Sequence, residues 1–320
     1  MKVYFYTTDI DSWNDLESSG DLMSQTRGLQ CWIHMTTYYL RKYSKIIEPI
    51  VVNQVPEEGI IVFHKGYFPK LYKPGRNQFF VCIQADYGRH RYAQMHLVQN
   101  PLQLQGFNGG FQSAIDPVFS FTKRQFLPLW PQPSIIERNP DRKYAVEHVG
   151  FFGNPQEFLS DEIGKFETFL KGNGLNIRYK FDPADWADYS TTDIALAIRS
   201  FSNLPYYNKP VSKLVNAVLA GSLIVAGDES SSRFFKKRYF PEMHLVATLD
   251  DTQRAIKQLL DDPVSAFEKV SNCRARLEEF SIENLTYSWE QLLLEAEGKF
   301  KKWKKMNSMK HRAFLLLRSK

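Results

Sequence analysis

Cysteine is scarce in this sequence. Cys31, Cys82 and Cys273 are the only three in 320 residues, and no two stand at a CxxC or metal-finger spacing. That excludes a disulfide framework and a cysteine zinc site, and a reducing compartment is the simpler reading. Long apolar runs are missing too: none approaches the roughly 20 residues of a membrane-spanning helix. The start, MKVYFYTTD, soon turns polar, unlike a secretory signal. There is no GxxxxGK[ST], no GxGxxG after a strand and no GxSxG, which disfavours a P-loop NTPase, a dinucleotide-binding dehydrogenase and an α/β-hydrolase. HExxH and clustered His/Cys sets are absent, so no catalytic metal is indicated. No internal repeat is visible.

What is present is ordinary globular material, 43% hydrophobic and long enough for two domains. In the first half, residues 2–7 (KVYFYT) read as a strand, 8–20 as a long polar loop and 22–43 as a helix. Residues 46–55, 59–64 (GIIVFH), 78–84 (QFFVCIQ) and 94–99 (QMHLVQ) read as further strands. Proline at 128, 131, 133 and 140 predicts an irregular, stiff connection over residues 121–142, with a domain boundary near 138–142. The second half restarts with a strand at 148–152 (HVGFF), a helix at 155–171, a strand at 176–179 and a strand or short helix at 193–199 (DIALAIR). A last strand at 244–247 precedes helices at 250–260, 263–280 and 287–305. Alternating strands and helices predict an α/β fold, whose ligands bind beyond the carboxyl ends of the strands.

The most informative stretch is NKPVSKLVNAVLAGSLIVAGDESSSR, residues 208–233. Val211, Leu214, Val215, Val218 and Leu219 make one apolar helical stripe, with Pro210 suited to the first turn. Gly221 suits a left-handed stop, and Leu223, Ile224 and Val225 form a buried strand before a polar loop. Lys209, Lys213 and Asn216 share the opposite face near the helix start. Two ammonium groups at a positive dipole end with free N–H groups suit an anion; the bland alternative is a wet lysine face. Gly150 and Gly153, Arg199, Lys209, Ser212 and Lys213 together suit a diphosphate, Asn216 suits donation to a sugar hydroxyl, and Glu229 follows the next strand. In the first half, Asp86 directly follows an apolar strand and is a candidate base, with Asp9 and His64 as rivals; capping a turn is the alternative for Asp86. Asn108, Gly109 and Gly110 suit a substrate-hugging loop or a plain turn.

The segment KPVSKLVNAVLAGSLIVAG resembles the donor-binding region of GT-B glycosyltransferases, of the family 1 and 4 kind that builds bacterial polysaccharides. The matching residues are Lys209, Pro210, Lys213, Leu214, Asn216, Ala217, Ala220, Gly221, Ile224 and Ala226. DIALAIR, HVGFFG and the last long helix are also similar. The likeness covers residues 145–300 well and the first half only in layout. It implies an α/β fold of two Rossmann-like domains facing across a cleft. Residues 1–138 would bind the acceptor and 139–285 a UDP- or GDP-sugar, with 286–320 a crossing helix and tail. It implies a glycan or lipid-linked acceptor and no obligatory metal or other cofactor. Many retaining members carry glutamate where this helix has Asn216, so retention and inversion both stay open. If the enzyme inverts, Asp86, Asp9 or His64 supplies the base. The rivals are a nucleotide-sugar epimerase of the same fold and a non-catalytic membrane-surface protein.

The net charge of +6 is concentrated at the end, where residues 299–320 carry nine Lys or Arg and no acid. Phe300, Trp303 and Leu316 are interleaved, which suits an anionic membrane surface or a helix docked on the protein. Nothing else supports a nucleic-acid partner. The expected location is the cytoplasm, with peripheral attachment to the inner face of the plasma membrane.

Overall fold

The computed structural model describes residues 2–25, 28–105, 119, 121–155, 162–201 and 204–319. The chain forms two compact units. Unit 1 comprises Met1–Trp130, Asn208–Pro210 and Ser281–Lys320; unit 2 comprises Pro131–Tyr207 and Val211–Phe280.

In unit 1, strands β1 (Val3–Tyr6), β2 (Pro49–Val52), β3 (Gly59–His64), β4 (Gln78–Ile83), β5 (Met95–Val98) and β6 (Lys123–Phe126) form one sheet in the order β2-β1-β3-β4-β5-β6. Every pairing is parallel. A parallel sheet is covered on both faces, which is why β3 and β4 are continuous apolar runs. Their side chains alternate between two cores. Ile60, Val62, Phe79 and Val81 join the larger one; Ile61, Phe63, Phe80 and Cys82 pack around Phe68. Helix α1 (Ile10–Ser19) follows β1, and a π-helical stretch, Gln30–His34, runs into α2 (Met35–Tyr43).

In unit 2, β7 (His148–Phe152), β8 (Asn176–Lys180), β9 (Ile194–Ala197), β10 (Leu223–Gly227) and β11 (His244–Val246) form a second parallel sheet ordered β11-β10-β9-β7-β8. Its helices are α3 (Ile163–Gly172), α4 (Ser212–Leu219), α5 (Ser230–Arg238), α6 (Leu249–Asp261) and α7 (Pro263–Arg274). Helices α8 (Ile282–Lys304) and α9 (Ser308–Ser319) belong to unit 1. In each sheet the chain first adds a strand on one side of the starting strand and then crosses to the other. The switch points therefore lie between β1 and β3 and between β7 and β9, where open parallel sheets bind ligands.

Several expectations are corrected. Residues 10–19 are helix rather than loop, because Asp9 accepts the Ser12 N–H as N-cap, Gly20 closes the end at φ 69°, and Trp13 and Leu16 are buried. Residues 123–126 pair as an edge strand before the first of the clustered prolines. Pro210 lies ahead of α4 rather than in its first turn. The polar segment after β10 is helix α5, opened by Glu229 at its N-cap. Part of the helix expected over 155–171, residues 156–161, lies outside the described residues, as does the loop at 108–110.

The tail is largely committed to the fold. Trp303 and Phe314 are fully buried in the unit 1 core, and Phe300 packs against it. Trp303 Nε1 donates to the Gly75 carbonyl at 3.2 Å, and Arg76 to the Met306 carbonyl at 2.6 Å. So Phe300 and Trp303 are spent internally, and Leu316 alone of the three is exposed. No helix among the described residues is long and apolar enough to cross a membrane.

Unit 2 is organised by Asp193, wholly buried just before β9. Its carboxylate accepts from Arg138 Nε at 2.8 Å, from Arg142 Nε and Nη2 at 2.9 and 2.8 Å, and from the Glu147 and His148 N–H groups at 2.8 and 2.9 Å. Burial alone would raise the carboxyl pKa. The bonds from Arg142, the two backbone N–H groups and Arg138 outweigh it and hold the group below its ordinary value of 3.8. A carboxyl depressed on folding stabilises fully above the unfolded value and loses that contribution as pH falls through the folded one, so this network weakens only below about pH 4. Asp193→Ala takes the carboxylate from buried Arg138 and leaves Arg142 only Glu147, and is expected to cost about 3–5 kcal/mol, read in denaturant titrations as an early transition near neutral pH.

Candidate functional site

At the unit 1 switch point the chain leaves β1 through Thr7 and Asp9. Thr7 is fully buried, and its hydroxyl meets His34 Nε2 at 2.8 Å while accepting the Asp9 N–H at 3.1 Å. Gln25 Nε2 donates to Ser24, which leaves Gln25 Oε1 facing His34 Nδ1 at 3.2 Å. An amide oxygen only accepts, so His34 carries its proton on Nδ1 and takes the Thr7 proton with Nε2. Burial lowers the His34 pKa to about 4 against the opposing charge of Asp9. Asp9 is a helix cap, and its loop is fixed through Thr7.

His64, the last residue of β3, is 3% exposed. Its Nδ1 accepts the Gly66 N–H at 3.2 Å, which places the neutral ring's proton on Nε2. Nε2 lies against Gly28, where a Cβ would come within 3.4 Å. Burial lowers the His64 pKa to about 4, with Asp86 opposing. His64 is thus set up as a donor through Nε2.

Asp86 follows β4 by way of Ala85, held at φ 48°. Gln99 Nε2 donates to its Oδ1 at 2.7 Å, and Lys209 Nζ pairs with its Oδ2 at 2.9 Å. Asn208 Nδ2 donates to the Asp86 carbonyl at 2.6 Å, Gln99 also reaches the Asn208 carbonyl at 2.7 Å, and Asn100 reaches the Lys209 carbonyl at 2.9 Å. Sequence reasoning chose Asp86 and Lys209 for separate duties; the structure pairs them. It missed Gln99 and Asn100, whose signal was two amides directly after a strand.

In unit 2, Arg199 follows β9 and Glu229 follows β10. Arg199 Nη1 donates to Glu229 Oε2, and its guanidinium lies 5.9 Å from the Tyr206 ring centre. Tyr206 in turn shares a 2.6 Å hydrogen bond with Ser200. Both partners of this ion pair are nearly buried, with side chains 10% and 4% exposed, so each fixes the other's position. Ser212 is the first residue of α4, whose N-cap position, Val211, supplies no side-chain acceptor. Lys213 Nζ lies 5.3 Å from the ring centre of Phe151, near the carboxyl end of β7.

Gly150, Gly153 and Asn216 complete the expected set. Gly150 lies inside β7, where a Cβ would come within 2.7 Å of Thr192. Gly153, at φ 150°, follows β7 and donates its N–H to the Lys180 carbonyl at 3.2 Å. Asn216 is 7% exposed, and its amide oxygen accepts the Gln132 N–H at 3.0 Å. Among the described residues no group of His, Cys, Asp and Glu is arranged to hold a metal ion.

No family model matches the sequence. No curated protein matches it either. Among solved structures, a sucrose-phosphate synthase from Thermosynechococcus elongatus superposes with a TM-score of 0.54 at 12% identity, over 93% of this chain and 99% of that one. TarM superposes with a TM-score of 0.50 at 16% identity, over 81% of this chain; the match spans 57% of TarM. A further structure, of an S. aureus TarM mutant with fondaparinux, α-GlcNAc-glycerol and UDP, matches at a TM-score of 0.50 and 15% identity, over 81% of this chain and 58% of that one. At these identities the likeness establishes the fold: two parallel-sheet α/β units, as the resemblance to GT-B proteins implied.

The buried histidines give a direct test. His34 and His64 are expected to stay neutral down to about pH 4. Unfolded histidine takes its proton near pH 6.5, so stability falls as pH drops from about 6.5 towards 4. Proton NMR of the imidazole Cε1–H signals should show both unprotonated at pH 5.5; a midpoint near 6.5 for either would contradict its burial and bonding.

Proposed function

We propose that this protein is a glycosyltransferase that moves a sugar from a UDP- or GDP-sugar to a hydroxyl of a glycan or lipid-linked acceptor in polysaccharide assembly. In this reading unit 2 holds the donor and unit 1 the acceptor. The observation that carries it is the unit 2 switch point. The loop after β9 brings Arg199, the following helix α4 begins with Ser212 and Lys213, and the fold is shared with a TarM structure holding UDP.

The chemistry follows from charge. Breaking a sugar–diphosphate bond leaves negative charge on the departing oxygen, so cations and oriented dipoles that meet it there lower the barrier. Lys213, the α4 N-terminus and Arg199 supply them, and Glu229 holds Arg199 in place. No metal is required in this scheme. On the acceptor side, Asp9 caps α1 and His64 has its Nδ1 lone pair in use. Asp86 is the best base of the three, should one be needed, because each of its oxygens keeps a further lone pair and its side chain is 46% exposed.

Calorimetric titration with UDP and GDP tests the donor site. One nucleotide is expected to bind, and Lys213→Ala and Arg199→Ala should each weaken it about tenfold or more, the scale of one charge-assisted bond. No heat from either nucleotide, or variants that match the parent, would defeat the proposal. Conversion of the donor without acceptor would point to epimerisation instead.

The tail keeps a surface role in this proposal. Met309 and Leu316, 81% and 67% exposed on α9, stand beside exposed Lys310 and Arg312. Attraction of about 1 kcal/mol per cation to an anionic bilayer supports peripheral attachment. Leu316→Glu is expected to reduce co-sedimentation with phosphatidylserine vesicles and leave nucleotide binding intact; unchanged sedimentation would remove the membrane from the proposal.

A further inference from the structure

Two tyrosines stand in the open at the carboxyl ends of adjacent strands in unit 1. Tyr67, just beyond β3, is 38% exposed, and Tyr87, just beyond β4, is 50% exposed. Both flank the His64 ring, at centroid distances of 5.1 Å and 5.7 Å and interplanar angles of 54° and 87°. Neither is a loosely held loop residue. The Tyr67 N–H bonds to the His64 carbonyl at 3.1 Å, and the Tyr87 N–H to the Gln84 carbonyl at 2.9 Å. The Tyr87 ring lies on Gly66 so closely that a Cβ there would come within 2.7 Å of it. Gly66 is thus the residue type that this ring position requires.

Exposed aromatic rings held this firmly have a consequence for ligand choice. A pyranose presents a face of C–H bonds whose hydrogens are slightly positive, and it stacks on the negative face of an aromatic ring. Its hydroxyls then need donors and acceptors at the ring edge. His64 supplies a donor: among the described residues its ring makes one hydrogen bond, accepted at Nδ1, and Nε2–H has no acceptor there. Gly28 keeps the space beside it narrow but unfilled by a side chain. Asp86, next to Tyr87, offers a carboxylate. An aromatic face, one N–H and one carboxylate at the end of a parallel sheet match a sugar ring better than a flat nucleobase, whose recognition would use the backbone amides and stacking from both sides.

We propose that Tyr67 and Tyr87 form the platform for a hexopyranose ring of the acceptor, with His64 Nε2–H donating to one of its hydroxyls. This rests on the acceptor role proposed for unit 1 and names its substrate class: a carbohydrate whose accepting unit is a pyranose, rather than an acyclic polyol or a protein hydroxyl.

Saturation-transfer NMR on the full-length protein tests it, with the methyl glycosides of glucose, galactose and N-acetylglucosamine as probes and sorbitol as the acyclic control. At least one glycoside should show saturation concentrated on the C–H bonds of one ring face, and sorbitol none. Tyr87→Ala and Tyr67→Ala should each weaken that binding about tenfold, the scale of one stacking face lost, while Tyr87→Phe retains it. His64→Gln, which keeps a donor, should bind more tightly than His64→Phe. Absence of saturation with all three glycosides, or alanine variants that bind as the parent does, would overturn the inference. Nucleotide titrations on the same proteins read the donor site separately: glycoside binding that depends on the tyrosines without nucleotide binding would uphold the sugar platform while defeating glycosyl transfer.

Discussion

The burial of Asp193 is the constraint on which unit 2 depends. A carboxylate without water must be neutralised and have its lone pairs filled, and here five N–H groups do both. Three come from two arginines in the connection that enters the unit, and two from the backbone at the start of β7. The acid therefore fixes where the entering chain lies, where β7 begins and how β9 pairs beside it. That pairing creates the switch point; Arg199 follows β9, and α4 is the next helix in the chain. A local requirement of electrostatics thus sets the frame in which the proposed diphosphate site is assembled.

The same logic explains which parts of the fold were legible in the sequence. GIIVFH and QFFVCIQ could be read because a strand covered on both faces needs an unbroken apolar run. The helix–glycine–strand order of residues 212–227 was legible because each of its signals is local: an apolar stripe, Gly221 at φ 76° and a short buried run. Residues 10–19 were misread because the segment is acidic and only Trp13 and Leu16 anchor it; Asp9, taken as a catalytic candidate, was the cap that announced the helix.

The candidate sites were legible as residue types and less so as partnerships. Arg199 and Glu229 were both picked out, yet nothing in their separation of thirty residues announces that they form one ion pair. Asp86 and Lys209 lie still further apart, and Gln99, which holds both Asp86 and the Asn208 carbonyl, carries no charge to draw notice. Asn216 was read as a ligand contact from its place on a helix face. Its amide oxygen receives the Gln132 N–H, a partnership that depends on where a distant segment runs. Periodicity reports which way a side chain points, and only the assembled chain decides what it meets.

The return of the final helices to unit 1 bears on how the protein is made. Leu285, Trp289, Leu292, Leu293, Ala296, Trp303, Met306 and Phe314 are integral to a core whose other buried residues come from the first 130 positions. Synthesis runs from the N-terminus, so the first sheet emerges from the ribosome long before the side chains that cover one of its faces. Unit 2, nearly continuous between Pro131 and Phe280, has its whole core in hand earlier. The half of the molecule made first is the half that finishes last, and in the interval its apolar β3 and β4 are left to whatever chaperone or nascent chain meets them.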